Sequence, residues 1–250
     1  EADKVVCLTQ SARTILSACY LSDSLGSDDH FQIIPCCADF QHFDLSNVSQ
    51  ADTDNVRSNT GIAADDFVLL YLGSLGPDYL LKHMITLFRQ LLAVQPKSRF
   101  LFVSNNGRKL VDAECAAQGI SHESILFLSA NRKDIPTFLS VADMSVVFIR
   151  GDLSKAGCSP TKLAELFACG VPVIANTGVG DLDRIISLQI NGSMIVEDFS
   201  DETLRAAVLQ VIAFKKSGMV NIRENSREFA LEEGVVRYAA VYQELLDKRG

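Results

Sequence analysis

From Asp66 onward the chain alternates strictly between short apolar runs and helical patterns, and this rhythm restricts the fold more than any other feature. The apolar runs fall at 67–72, 100–104, 125–128, 144–149, 171–175 and 193–196. Their shortness, and the lack of polar alternation in 171–175, suit strands buried on both faces. Helical patterns fill the intervals, at about 77–94, 107–118, 133–140, 160–169, 181–188 and 201–216. Strands that return through helices run parallel, so the expected class is α/β: a Rossmann-like doubly wound parallel sheet with helices on both faces. Ligands of such sheets bind beyond the carboxyl ends of the strands, which directs attention to the loops there.

Ahead of this region, 4–9 and 31–35 read as strands and 11–21 as an amphipathic helix, together one βαβ piece. Residues 36–65 are polar with little periodicity and read as a linker or a long covering loop. Two closing helices are expected at about 220–232 and 235–248, with Arg237, Tyr238 and Tyr242 as packing or docking residues.

Composition excludes several classes. With 48% hydrophobic and 22% charged residues the 250-residue chain is an ordinary globular sequence, and its apolar runs fall far short of the roughly 20 residues that span a bilayer. A formal net charge of −8 argues against nucleic acid as a partner, because phosphate contacts need clustered Lys and Arg. The seven cysteines form no Cys-x-x-Cys and no Cys/His ligand spacing, as expected of small apolar residues in a reducing cytoplasm. Cys158, beside a helix start, is either activated by that position or an inert core thiol, and the inert role is expected. The chain opens Glu1-Ala2-Asp3 without an initiator methionine or a leader pattern, and is expected to be part of a longer protein.

The segment 158–181 carries the most chemistry. Ser159-Pro160 is a strong helix start, with the hydroxyl available to an orphan backbone N–H and proline pre-set for the first turn. Lys162 then falls in the first turn, where the helix dipole disfavours a cation by about 0.3–1 kcal/mol, so a negative partner is expected. Glu165, three residues on, or a bound anion would serve; a plain surface Lys-Glu pair is the structural alternative. After the strand at 171–175, Gly178 and Gly180 either make a turn or let backbone approach a ligand. Gly73, Ser74 and Gly76 occupy the equivalent loop after the first strand, just before a helix expected near Pro77.

Three strings carry a family resemblance: Ser159-Pro160-Thr161-Lys162-Leu163-Ala164-Glu165, Ala168-Cys169-Gly170-Val171-Pro172-Val173-Ile174-Ala175-Asn176, and Gly178-Val179-Gly180-Asp181. Tyr71-Leu72-Gly73-Ser74-Leu75-Gly76 and Val141-Ala142-Asp143 support them. Together they resemble the donor-binding half of GT-B glycosyltransferases of the retaining group called family 4 (glycosyltransferase group 1). The resemblance implies a remnant of an N-terminal domain and crossover at 1–45, a linker at 46–65, a nucleotide-sugar-binding domain at 66–217 and closing helices at 218–250. It implies hexosyl transfer from a nucleotide-diphosphate sugar to a glycan or lipid-linked acceptor, with retention and without an essential metal or other cofactor. Membrane association, where there is any, would be peripheral and through the missing domain, and this chain alone would be inactive.

By position, Lys162 resembles a diphosphate ligand and Glu165 the second glutamate of E-x7-E, which holds the ribose; these two are the expected catalytic residues. Ser74, Ser159, Thr161, Gly178, Val179, Gly180 and Asp181 resemble donor- and phosphate-binding positions, and Asn131 and Arg132 the nucleobase region. Two departures stand out. Gly157 occupies the place of the first glutamate, and the first-strand loop lacks the family's Arg and Lys. Lys162, Arg150, Lys155 and Lys82 are the candidates to compensate, Lys162 first. A sugar-nucleotide epimerase of the same architecture and an inert scaffold or regulatory subunit are the alternative readings.

Overall fold

The structure is a computed structural model that describes residues 2–20, 30–218 and 221–248; Leu21 and Val220, end residues of two expected helices, lie outside the described residues. The chain opens on β1 (Val5–Cys7), α1 (Gln10–Tyr20) and β2 (Phe31–Ile33), with the two strands paired in parallel. Next comes a helix, α2 (Gln50–Thr60), where a linker or loop was expected. Its ends are well specified: the Ser49 hydroxyl accepts from Asp52 N, and Gly61 closes the helix with φ +71°. Between them only Val56 is buried, so no apolar stripe marks the helix in the sequence.

Six strands follow: β3 (Phe67–Leu72), β4 (Ser98–Val103), β5 (Ile125–Leu128), β6 (Met144–Val147), β7 (Val173–Asn176) and β8 (Met194–Val196). All pairings are parallel, in the spatial order β5-β4-β3-β6-β7-β8. The chain thus starts at the centre, winds to one edge, and crosses back to β6, which makes the β3–β6 junction the point where the winding reverses. The remaining helices are α3 (Leu81–Val94), α4 (Arg108–Ala117), α5 (Ile135–Leu139), α6 (Thr161–Ala168), α7 (Leu182–Ile185), α8 (Leu188–Asn191), α9 (Asp201–Ser217), α10 (Ile222–Asn225) and α11 (Leu231–Asp247). None of the described helices is long and apolar enough to cross a membrane.

Strand alternation divides the core in two. Leu69 and Tyr71 of β3, with Phe100 and Phe102 of β4, pack under α3, α4 and α9; Val68, Leu70 and Leu72 face Val56, Leu139, Leu163 and Phe167 on the other side. Both faces being covered explains why the strands read as continuous apolar runs.

Three helix expectations need correcting. The helix expected from Pro77 starts at Leu81, because Leu80 N donates to the Phe148 carbonyl and residues 76–79 form a turn closed by Tyr79 N donating to Gly76 O. The stretch 181–188 divides into α7 and α8, with Asn191 Oδ1 accepting from Ser187 N between them. The helix expected at 220–232 breaks after α10, since Ala230 pairs in extended form with Ala38: Ala38 N donates to Phe229 O (2.9 Å) and Leu231 N to Ala38 O (2.8 Å). Arg223 then holds the crossover in place, donating to the carbonyls of Phe40 (2.7 Å), Phe43 (3.1 Å) and Ala168 (2.5 Å) and to the Asp44 carboxylate (3.0 Å).

Candidate functional site

At the winding reversal the loops leaving β3 and β6 are sewn together. Tyr79 and Ile149 form an antiparallel bridge, Leu80 N donates to Phe148 O at 3.1 Å and Arg150 N to Asp78 O at 2.8 Å. Asn176, at the end of β7, clasps Ile149 from the other side, accepting from its N–H at 2.8 Å and donating to its carbonyl at 2.9 Å. Lys155 adds an ion pair to Asp78 at 3.0 Å, and the Arg150 guanidinium donates to Pro77 O at 3.0 Å. Both of these basic side chains therefore brace the loop after β3.

Lys162 is different. Its ammonium lies 4.1 Å from the centre of the Tyr79 ring and 4.7 Å from that of Tyr71, with Tyr71 Oη at 3.4 Å. No carboxylate lies within 4.0 Å of it among the described residues. Burial lowers its pKa to about 8, against smaller opposing effects of Cys158 and Glu165. The helix end that carries it has no side-chain cap: Pro160 is the N-cap and Ser159 Oγ instead accepts from Cys36 N at 3.1 Å. This corrects the expected capping role of Ser159, whose hydroxyl satisfies the crossover backbone. Thr161 is exposed at the same end. Above Lys162 stands Gly73, where a Cβ would come within 3.0 Å of the ammonium, so the loop backbone approaches it closely.

Glu165 is 6% exposed and pairs with Arg132, Nη1 to Oε1 at 3.0 Å. Burial pushes its carboxyl up, opposed chiefly by Arg132 and less by Lys162 and His42. The structural alternative, a surface Lys-Glu pair, is thus absent: the glutamate is buried and takes a partner from the loop after β5. Arg132 stacks its guanidinium 5.5 Å from the Phe43 ring centre, and its carbonyl lies 3.2 Å from His42 Nε2. His42 stands beside the site because the crossover folds back over it. Asn131 bonds weakly to Asp134 at 3.5 Å. A cavity of about 110 Å³ beyond the ends of β3, β4 and β5 is lined by Leu72, Ser74, Ser104, Asn105, Ala130 and Ile135. Ser74 is exposed, and its carbonyl accepts from Tyr71 Oη at 2.7 Å.

The loop 177–181 is largely committed to the protein itself. Gly178 N donates to Asp183 Oδ2 at 3.1 Å and Gly180 N to Lys155 O at 2.9 Å. Val179 is fully buried. The Asp181 carboxylate accepts from Gln10 N (2.7 Å), Ser11 N (3.0 Å), Ser11 Oγ (3.0 Å) and Arg184 Nη2 (3.1 Å), so its side chain caps α1. Gly180 has φ +52°, and a Cβ there would collide with the Cys158 carbonyl oxygen. Gly180→Ala is accordingly expected to destabilise the fold by about 2–4 kcal/mol, read as a lower urea midpoint at unchanged slope. Gly157 has no such constraint, its nearest neighbour for an added Cβ being Ala12 at 3.8 Å.

The cysteines are free, and burial raises the Cys158 thiol despite nearby Lys155, in agreement with an inert role. Tyr71, Tyr79 and Phe43 were not singled out as site residues from the sequence. Only the Tyr71-Leu72-Gly73 string hinted at the first of them.

Solved structures share this architecture. Sucrose-phosphate synthase from Thermosynechococcus elongatus superimposes with a TM-score of 0.74 at 18% identity, over 99% of this chain and 59% of that one. The Anabaena protein HepE, solved with UDP-glucose, gives 0.72 at 17% identity, over 98% and 64%. At these identities the likeness is one of fold, GT-B and Rossmann-like. In sequence, the lipopolysaccharide 1,2-N-acetylglucosaminetransferase of Salmonella typhimurium is 24% identical over 185 residues, 71% of this chain and 47% of that protein. The chain therefore spans about half the length of the curated relative it matches. Residues 52–229, more than half of the chain, match the family model described as Glycosyl transferases group 1, and the chain belongs to that family.

Proposed function

We propose that this chain is the donor-binding portion of a retaining, metal-independent hexosyltransferase that uses a nucleotide-diphosphate sugar. The observation that carries the reading is a half-buried ammonium without a carboxylate partner, in the first turn of an uncapped helix at the winding reversal of the sheet. Helix N–H groups and a cation together suit a diphosphate. During transfer the bond from the sugar's anomeric carbon to the diphosphate oxygen breaks, a bond to the acceptor oxygen forms, and the acceptor proton is left for the departing phosphate. Charge develops on the diphosphate, where fixed N–H dipoles and Lys162 stabilise it.

In this reading Glu165 accepts from the ribose hydroxyls after exchanging part of its contact with Arg132, and the base lies toward Ala130, Asn131 and Arg132. Ser74 and Thr161 line the phosphate path. The acceptor would be a glycan or a lipid-linked saccharide, consistent with the name of the lipopolysaccharide relative.

Calorimetric titration with UDP and with GDP tests the core of this reading. Saturable binding of at least one is expected, and binding of neither overturns it. Gly157, which leaves the donor-sugar side without the family's first glutamate, favours a second reading as a scaffold that binds nucleotide without turnover. A longer form of the protein supplied with a donor panel separates the two, since transfer to acceptor is expected only of the enzyme.

A further inference from the structure

We propose that Tyr79 is a positioning residue: with Tyr71 it forms a two-walled aromatic cage that holds the Lys162 ammonium at the anion site without neutralising it. The proposal rests on the reading of Lys162 as the diphosphate ligand for its functional meaning, while the cage itself stands on geometry. The Tyr79 and Tyr71 rings meet edge to face, 6.0 Å apart at 79°, with the ammonium 4.1 Å and 4.7 Å from their centres. A ring face attracts a cation through its quadrupole but carries no net charge. A carboxylate in the same place would hold the lysine equally well and then compete with an incoming diphosphate. The nearest candidate for that competition, Glu165, is occupied by Arg132 at 3.0 Å.

Both walls are rigid. Tyr71 is fully buried in β3 and its hydroxyl is fixed by donation to Ser74 O at 2.7 Å. Tyr79 is held by its bridge to Ile149 and by the Lys155–Asp78 pair next to it. The loop in which Tyr79 sits is the one that lacks the family's basic residues.

Tyr79→Phe and Tyr79→Leu, each made alone and in a Lys162→Met background, test the cage in two independent ways. In the ligand-free protein, the side-chain methylene resonance of Lys162, identified by its loss in Lys162→Met, is expected upfield of other lysines from ring currents, retained in Tyr79→Phe and moved downfield in Tyr79→Leu. In UDP titrations, Tyr79→Phe is expected to bind like the wild type and Tyr79→Leu about fivefold to thirtyfold more weakly. In the Lys162→Met background Tyr79→Leu is expected to cause no further loss, since the tyrosine acts through the lysine. An unshifted Lys162 resonance, or an equal loss from Tyr79→Leu in both backgrounds, would overturn the cage. Absence of binding to both UDP and GDP would instead strike the functional reading, with the resonance still deciding the geometry.

Discussion

Replacing Lys162 by methionine is expected to weaken UDP binding by about thirtyfold to a hundredfold, from a charge-assisted contact of roughly 2–3 kcal/mol. Methionine keeps the length and apolar body of the side chain, so the cage stays filled and the loss reports the charge. Unchanged affinity by calorimetry would remove Lys162 from the site. The same residue sets a pH dependence. Its pKa in the folded protein is lowered to about 8, below the roughly 10.4 of an unfolded lysine. Keeping it charged thus costs the ligand-free fold stability below pH 8, and that cost is relieved between the folded and unfolded values. Nucleotide binding runs the other way, because the anion needs the cation: affinity is expected to fall as pH rises through about 8, and to stay flat there in Lys162→Met. The groups around the ammonium are Tyr71, Tyr79, Cys158 and Glu165; burial raises the first three, and Glu165 is held by Arg132.

Asp181→Ala is expected to cost about 2–4 kcal/mol of stability and to lower the melting temperature by roughly 4–16 °C. The carboxylate is 8% exposed and answers two backbone N–H groups at the start of α1, a serine hydroxyl and an arginine. Removing it strands donors across the joint between the opening βαβ unit and the larger sheet. Burial alone would raise this carboxyl, but the donations from Gln10, Ser11 and Arg184 outweigh it and hold it below the usual range. A depressed folded value means the contribution is complete above the unfolded pKa and is lost as pH falls through the folded one. Acid unfolding followed by circular dichroism should therefore be shallower in the variant. An Asp181→Ala protein that melts with the wild type would show that α1 docks by its apolar face alone.

Much of the sheet was legible because parallel strands covered on both faces announce themselves as apolar runs, and because Gly170 marks the end of the helix before β7. What escaped had a common cause. The Tyr79 bridge, the Asp181 cap and the Arg132–Glu165 pair each join residues far apart in the chain, and nothing local distinguishes their members from an ordinary loop tyrosine, a turn aspartate or a surface arginine. Ser159 and Asp181 stood out by local chemistry, yet their side chains serve the crossover and α1, whose proximity no pattern revealed. Helix α2 was missed for the opposite reason: its caps were visible, but a polar surface helix has too little apolar periodicity to outweigh its composition.

The central strand of the sheet is also the first of the six to be made. β3 can pair with β4 as soon as residue 103 exists, but its other edge stays open until β6 arrives, when Ser145 Oγ bonds to the Leu70 carbonyl across 75 residues. Until then a growing chain carries an apolar strand with a row of unpaired backbone groups, the kind of edge that invites pairing with another chain. The crevice does not exist at that stage either, since one of its two walls has yet to be synthesised. A ligand seated there can therefore stabilise only the finished sheet, leaving the half-made one to be guarded by its own solubility or by chaperones.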